Sequence, residues 1–482
     1  MVQGANDGNI TQALAQFSAE LTFEDLSPEV VDWAKYLCLD FAGVTLRGST
    51  TPSAEAVVRA IEQIGRPGPS VIIGTGIRAL PEYAALANGT AFHSIELDDV
   101  NNEASLHPGV VAYPTALAMA DVAPVDGKAF IAAVTAGYDV IVRLGRALKP
   151  AEHYGRGFHP TGTCGAFGAA AVAARLLGLK RDNFTYALGI AGSQAAGSME
   201  FLAQGAWTKR FHPGWAAHGG IWAALLAQAG FLGPITIIEG ENGFLHGYSG
   251  NPDPDLVIKD LGEEFQITRT GIKPHACCRY NQGPIDCVLD LGRRYHVKAQ
   301  DVEEVRVGIL SAGYNIVAAP EQQKRNPISV VDMQFSMPFA AAVALLYGRA
   351  SLSEYAPGMG LRPDVRDLMA RVRCVRDPTL DAVFPRQWPA WAEVRTKDGR
   401  TLRSETQYPK GDPENALTWD ELKQKFVDLS ASVISASHQR EIISAIEALE
   451  NMRDVRDLAA LLATEPSAVS PDKSGAGPDR GV

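Results

Sequence analysis

The sequence predicts a mainly α-helical protein with a smaller α+β unit inserted into it, and three observations carry that prediction. Apolar residues recur at helical spacing in Ala- and Gly-rich segments from the start of the chain to about residue 265. Strand-like alternation then appears among shorter helical runs. Helical spacing returns near the end, so the chain is expected to rejoin its first unit. The expected division is a helical unit over 1–268, an α+β lid over 269–412 and returning helices over 413–463. A tail rich in Ser, Pro, Gly and Asp over 464–482 is expected to be disordered.

Each element has a local reason. Ser27 and Pro28 read as the N-cap and first position of a helix, followed by Val30, Trp33, Ala34, Leu37 and Phe41 on one face. PEYAALANGTAFHSIEL, PTALAMADVA, GKAFIAAVTAGYDVIVRLGRAL and CGAFGAAAVAARLLGL follow in the same manner, and their small residues suit helices that approach closely. VEEVRVGIL, from Val302 to Leu310, alternates as a strand. WAEVRTKDGRTLRSETQ reads as a hairpin turning at Asp398-Gly399. FSMPFAAAVALLYG lies between them as a helix, and WDELKQKFVDLSASVI and HQREIISAIEALENM are the returning helices.

Composition narrows the function. With 482 residues, 46% apolar and 21% charged, the chain has material for a large core without metal or disulfide staples. A net charge of −11 argues against nucleic acid or an anionic membrane as partner. The six cysteines form no CxxC pair, and the N-terminus carries no basic region followed by an apolar core. Apolar stretches are broken by polar residues before reaching ~20, the length of a membrane span. The expectation is a cytoplasmic protein.

Several motifs fail on inspection. Gly74, Gly76 and Ala79 in SVIIGTGIRA match the dinucleotide fingerprint, but Pro81 and the lack of a following parallel strand leave a connecting turn. No G-x-S-x-G elbow and no H-E-x-x-H pair occurs. Glu96, Asp98 and Asp99 with His93 could bind a cation, but on a helix half would face away, and capping or exposed carboxylates explain such runs more often. Cys277 and Cys278 read as small hydrophobes.

What remains is four polar clusters set in Gly-, Ala- and Pro-rich surroundings. ELDDVNNEASLHPG carries Glu96, Asp98, Asp99 and His107, and GRGFHPTGTCG carries Arg156, His159 and Thr161. GAWTKRFHPGWAAHGG carries Lys209, Arg210, His212 and His218, while IKPHACCRYNQGP carries Lys273, His275, Arg279 and Tyr280. His107, His159 and His212 each precede a proline, which favours element boundaries. Such boundaries, where helix N–H groups are free, bind anions. Buried cations such as Lys209 and Arg210 need an anion nearby. Together these point to a small-anion site between two units.

The segments NGTAFHSIELDD, HPGVVAYPTALA, FHPTGTCGAFGAA, ALGIAGSQAAGSMEF, TKRFHPGWAAHGG, KPHACC and VDMQFSMPFAAA, in this order, resemble the MmgE/PrpD family. The resemblance covers about residues 10 to 460. It implies a helical domain closed by an inserted α+β lid, a cleft active site, a homodimer, and no metal or cofactor. Members include methylcitrate dehydratases, cis-aconitate decarboxylases and an iminodisuccinate epimerase, all acting on small polycarboxylates.

Carried over by motif, His107, His159, Lys209 and His275 become the catalytic candidates. Glu96, Asp98, Asp99, Arg210 and Lys273 become the substrate-binding ones. Histidine suits proton transfer near neutral pH. Lys209 and Arg210 suit carboxylate charge that grows as a proton or CO2 leaves, so the substrate is the expected anion for these cations. His275 would bind a carboxylate or donate a proton from the lid, and His212 and His218 read as structural. Asp99 is followed by Val100-Asn101-Asn102 and not by the Thr-Trp usual in the dehydratases, which favours the decarboxylase branch. An epimerase shares the same deprotonated intermediate, and a non-catalytic carboxylate-binding protein is the third reading.

Overall fold

Ser27 accepts the Val30 N–H at 3.3 Å and Pro28 fills the first position, so the helix Pro28–Gly48 starts where the sequence places it. The computed structural model describes residues 9–463. The tail expected to be disordered lies outside the described residues. Pro28–Gly48 packs on Pro81–Phe92, Gly109–Ala120 and Gly127–Ala147, and these in turn pack on Pro160–Leu176 and Thr208–Gln228. Gly109–Ala120 is buried on every side, as an apolar helix with no polar face must be.

The abundance of small residues has the predicted use. Where Pro81–Phe92 meets Thr208–Gln228, a Cβ on Gly89 would lie 2.9 Å from the Gly214 Cα. One on Gly214 would lie 2.3 Å from the Leu86 carbonyl oxygen, so two backbones touch where no side chain fits. A Cβ on Gly220 would meet the Ala169 Cβ at 2.3 Å, which brings Pro160–Leu176 equally close. Pro213 is the exception to the boundary expectation: Thr208–Gln228 runs straight through it. Its position, within the first turns of the helix, limits the loss to the bond its missing N–H would have made to the Lys209 carbonyl.

The α+β unit holds a four-stranded sheet with Val302–Ile309 inside it. Val372–Arg376 flanks that strand in parallel, and Ala390–Thr396 flanks it antiparallel. Thr401–Thr406 completes the predicted hairpin, with Gly399 at φ +88° in its turn. Helices Arg279–Tyr295 and Met337–Tyr347 pack on each other and on the sheet. The glycines of SVIIGTGIRA form the turn of a small antiparallel ribbon, Ser70–Val71 with Arg78–Ala79, and not a dinucleotide fold.

Two features tie the units together. Asp99–Asn101 pairs antiparallel with Thr270–Ile272, which sequence periodicity did not reveal. Trp419–Ser430 packs on Pro28–Gly48, and from it the half-buried Lys425 donates to Asp40 Oδ1 at 2.6 Å, the Leu97 carbonyl at 2.8 Å and the Lys273 carbonyl at 2.9 Å. One apolar cluster runs through both units. Among the described residues no helix is long and apolar enough to cross a membrane.

Candidate active site

Helix ends assemble the site. His93 caps the C-terminus of Pro81–Phe92, and the acidic segment follows it. His107 directly precedes the N-cap Pro108 of Gly109–Ala120, and His159 is the N-cap of Pro160–Leu176. Lys209 lies in the first turn of Thr208–Gln228, and Cys278 is the N-cap of Arg279–Tyr295. Four helix N-termini therefore point their partial positive charge toward one region, a setting for an anion. Between them lies a small cavity of about 50 Å³, lined by Glu96, Ser105, His107, His159, Lys209 and Arg279. Phe201, Phe335 and Trp388 are among its apolar walls.

The acidic segment is buried and non-helical, bending through Glu96 before the strand Asp99–Asn101, which corrects the expectation of exposed or capping carboxylates on a helix. Glu96 forms a hydrogen-bonded ion pair with Lys209, and its other oxygen lies 3.3 Å from Lys273 Nζ. Lys273 also stands 3.1 Å from Asp98 Oδ1, and Lys209 lies 5.3 Å from the centre of the Phe335 ring. The two carboxylates and two ammonium groups cancel within the protein. Lys209 is thus already compensated by Glu96, whereas the sequence assigned that role to the substrate. Although burial raises the pKa of Glu96 and Asp98, Lys209 and Lys273 beside Glu96, and Lys273 with the histidines beside Asp98, hold both below the usual carboxylate range.

Asp98 organises two imidazoles. Its Oδ2 lies 2.9 Å from His93 Nδ1 and 2.8 Å from His107 Nδ1. His107 Nδ1 is also 2.6 Å from the Asp99 carbonyl, so two acceptors assign the proton to Nδ1. That leaves the Nε2 lone pair as the free basic position, with no partner among the described residues. His159 and His212 share a proton between their Nδ1 atoms, 3.1 Å apart. Burial pushes all four histidines down, His93 to about 3 and His212 to about 4, so they are neutral at neutral pH.

The remaining candidates fall elsewhere. Asp99, one residue from Asp98, turns away from the cavity: it accepts from Tyr138 Oη at 2.7 Å and from the Gly109 N–H at 3.0 Å. Burial pushes its carboxyl well up. Its role is to anchor the helix carrying Tyr138 and the N-terminus after His107. Arg210 donates to Ser53 Oγ at 3.2 Å and does not line the cavity. Lys273 reaches the carboxylates from behind the cavity wall. His275 is not brought to the cavity; its Nε2 lies 2.9 Å from Asp286 Oδ1 in an open cleft on another face. The chain bends at Pro274 just past the strand Thr270–Ile272, and this sends Lys273 inward and His275 outward.

Sequence reasoning missed several contributors. His93 entered only as a companion of a cation cluster, and Ser105, Tyr154 and Trp388 did not enter at all. Glu96 and Ser105 both adopt left-handed backbone, φ +57° and +50°, a strained state of the kind that gathers at functional sites. Nothing in the local sequence signals it. His93, Asp98 and His107 place ligand atoms within 4.8 Å of one another, as a metal site would. Asp98 Oδ2 already meets both ring nitrogens at hydrogen-bond distance and Oδ1 faces the Lys273 ammonium, so a cation there would compete with the imidazole protons and sit beside the Lys273 charge.

Known proteins resemble this chain along most of its length. The model of the MmgE/PrpD N-terminal domain matches residues 12–257, and that of the MmgE/PrpD C-terminal domain matches residues 275–451. A cis-aconitate decarboxylase-like protein, oryM, of Aspergillus oryzae is 31% identical, covering 95% of this chain and 98% of its own. The cis-aconitate decarboxylase of Aspergillus terreus is 28% identical over 94% of this chain and 96% of its own. The cis-aconitate decarboxylase of Homo sapiens is also 28% identical, over 94% of both chains.

Proposed function

Because this chain belongs to the MmgE/PrpD family and resembles cis-aconitate decarboxylases along nearly its whole length, we propose that it decarboxylates a small unsaturated polycarboxylate of the cis-aconitate type. The observation that carries the reading is the orientation of His107: Asp98 and the Asp99 carbonyl hold its Nδ1 proton and leave Nε2 available beside Lys209 and His159. Neutral imidazoles accept a proton when a polyanion enters, because the negative charge raises their pKa. His107 or His159 then delivers that proton to carbon. The C–C bond to the departing carboxylate breaks, its electron pair spreads into the neighbouring unsaturated acid, and CO2 leaves. Lys209 stabilises the spreading charge, moving from Glu96 toward the substrate. The apolar walls favour the step, since charge is more dispersed in the transition state than in the bound carboxylate.

In this reading Glu96, Asp98 and Lys273 keep the cations and imidazoles in place, and no metal or cofactor takes part. The α+β lid spans 269–412 and the helices after 413 belong to the helical domain. Six unpaired cysteines, five of them buried, support a reducing, cytoplasmic setting. A homodimer is supported by one face of Thr208–Gln228. There Trp215 stacks on Phe211 at 5.6 Å and on His218 at 5.0 Å, and Trp215, Trp222 and the N-cap Trp207 are each more than two-fifths exposed. Light scattering of the Trp215→Glu, Trp222→Glu double variant should give a monomer where the parent gives a dimer.

Proton NMR in D2O with cis-aconitate, citrate, methylcitrate and iminodisuccinate tests the activity, with Lys209→Ala as control. A decarboxylated product carrying a new terminal alkene is expected from cis-aconitate. Deuterium appearing in unchanged substrate would assign an epimerase, and dehydration of citrate or methylcitrate alone would assign a dehydratase. Silence across the panel would refute all three.

A further inference from the structure

Arg279 is used by nothing above, yet it is only 7% exposed and lines the same cavity as His107, His159 and Lys209. A buried guanidinium is costly unless each edge is engaged. Three sides are. Nε donates to Asn102 Oδ1 at 2.8 Å, and Nη2 lies 2.5 and 2.7 Å from the two oxygens of Asp412. The guanidinium carbon sits 4.9 Å from the centre of the Trp388 ring. Nη1 has no partner among the described residues, and its two N–H groups are the part of the guanidinium left over.

We propose that Arg279 Nη1 binds a further carboxylate of the substrate, one remote from the reacting carbon, and so sets the number of carboxylates the enzyme requires. The proposal rests on the polycarboxylate reading above. Two carboxylates of the protein already compensate Lys209 and Lys273, so those ammonium groups serve an incoming acid only by giving up a partner. Arg279 needs no such exchange: its donors at Nη1 are unused while Asp412 stays in place. Its clamp also draws on three distant parts of the chain. Asn102 comes from the acidic segment of the helical unit, Trp388 precedes the strand Ala390–Thr396, and Asp412 follows the strand Thr401–Thr406. The anchor is therefore aimed only when the two units are together, which makes the selection of acid and the closing of the cavity one event.

Two saturated acids differing by one carboxylate, tricarballylate and glutarate, test the proposal by calorimetry. The variant is Arg279→Met combined with Asp412→Asn, which leaves no buried carboxylate unpaired. The parent should prefer tricarballylate, and the variant should lose roughly tenfold or more of its affinity for that acid, as for a charged hydrogen bond, while glutarate changes by less than about twofold. In turnover the loss should appear in KM, with kcat held within about threefold. Equal weakening for both acids, or none for either, would make Arg279 a clasp between units and overturn the proposal. Should the double variant not fold, Arg279→Lys carries the same two-acid comparison, with a smaller but still selective loss expected. A parent that turns over cis-aconitate but shows no preference for tricarballylate refutes this inference alone. A parent that binds no acid and turns over none refutes the functional reading with it.

Discussion

Two histidine–aspartate contacts of equal length, 2.9 Å, sit in two unlike places. His93 meets Asp98 in the dry centre of the molecule, where both side chains are fully buried and a second imidazole and an ammonium group share the same carboxylate. His275 meets Asp286 on the wall of an open cleft, where the Asp286 side chain is one-fifth exposed. Around His275 the hydrogen bonds are structural: its N–H donates to Gln282 Oε1, its carbonyl accepts from Gln282 Nε2, and Asp286 holds the Lys410 N–H. Contact length therefore says little about chemistry. Water exclusion, and the charges that share the pair, decide whether an imidazole can be tuned for proton transfer.

The contrast can be broken from the buried side first. His107→Gln should lower kcat by roughly 10² to 10⁴, the range for a lost general acid–base group. A loss smaller than tenfold would place the proton transfer elsewhere. Lys209→Ala should lower kcat by about 10² to 10³, as removal of a charge-stabilising donor does. It leaves Glu96 paired to Lys273. Single-turnover measurement should show the loss in chemistry and not in product release.

Acid sharpens the contrast through stability. The buried histidines have folded pKa values below the ordinary 6.5, with His93 at about 3 and His212 at about 4. Between those values and 6.5 the unfolded chain binds more protons than the folded one, so stability falls as pH drops below 6.5. The slope is about 1.4 kcal/mol per pH unit for each such histidine. Melting curves from pH 7 to pH 4.5 should show it, and His93→Asn should flatten it. An equally steep curve for that variant would place the acid sensitivity in other groups. The smallest effect belongs to the open cleft: His275→Ala should leave kcat within about twofold, because His275 does not reach the cavity. A large loss there would erase the distinction between the two pairs.

The order of helices, strands and returning helices was legible because helical and alternating periodicities differ and because caps such as Ser27 are local signals. The clusters around Glu96, His107, His159 and Lys209 were legible as polar residues in segments otherwise suited to burial. Which member of a cluster faces the cavity was not. Asp98 and Asp99 are neighbours entering a strand, where successive side chains point to opposite sides, and the sequence gives no register for that strand. The clamp on Arg279 was beyond reach for another reason: Asn102, Trp388 and Asp412 come together only through the tertiary fold. The exposed aromatic face of Thr208–Gln228, with Trp215 and Trp222, likewise shows only in the fold.

The glycine contact between Gly89 and Gly214 has a consequence for how such an enzyme can diversify. It works as a gauge, setting the gap between the helix that leads into Glu96 and the helix that carries Lys209. A single methyl group at either position would have to move a whole helix and would widen the spacing of the ion pair. Lineages or laboratories seeking new acids as substrates have little freedom there. Freedom lies in the apolar walls, at Met199, Ile316 and Phe335, where a change in side-chain size reshapes the cavity and leaves the gauge untouched.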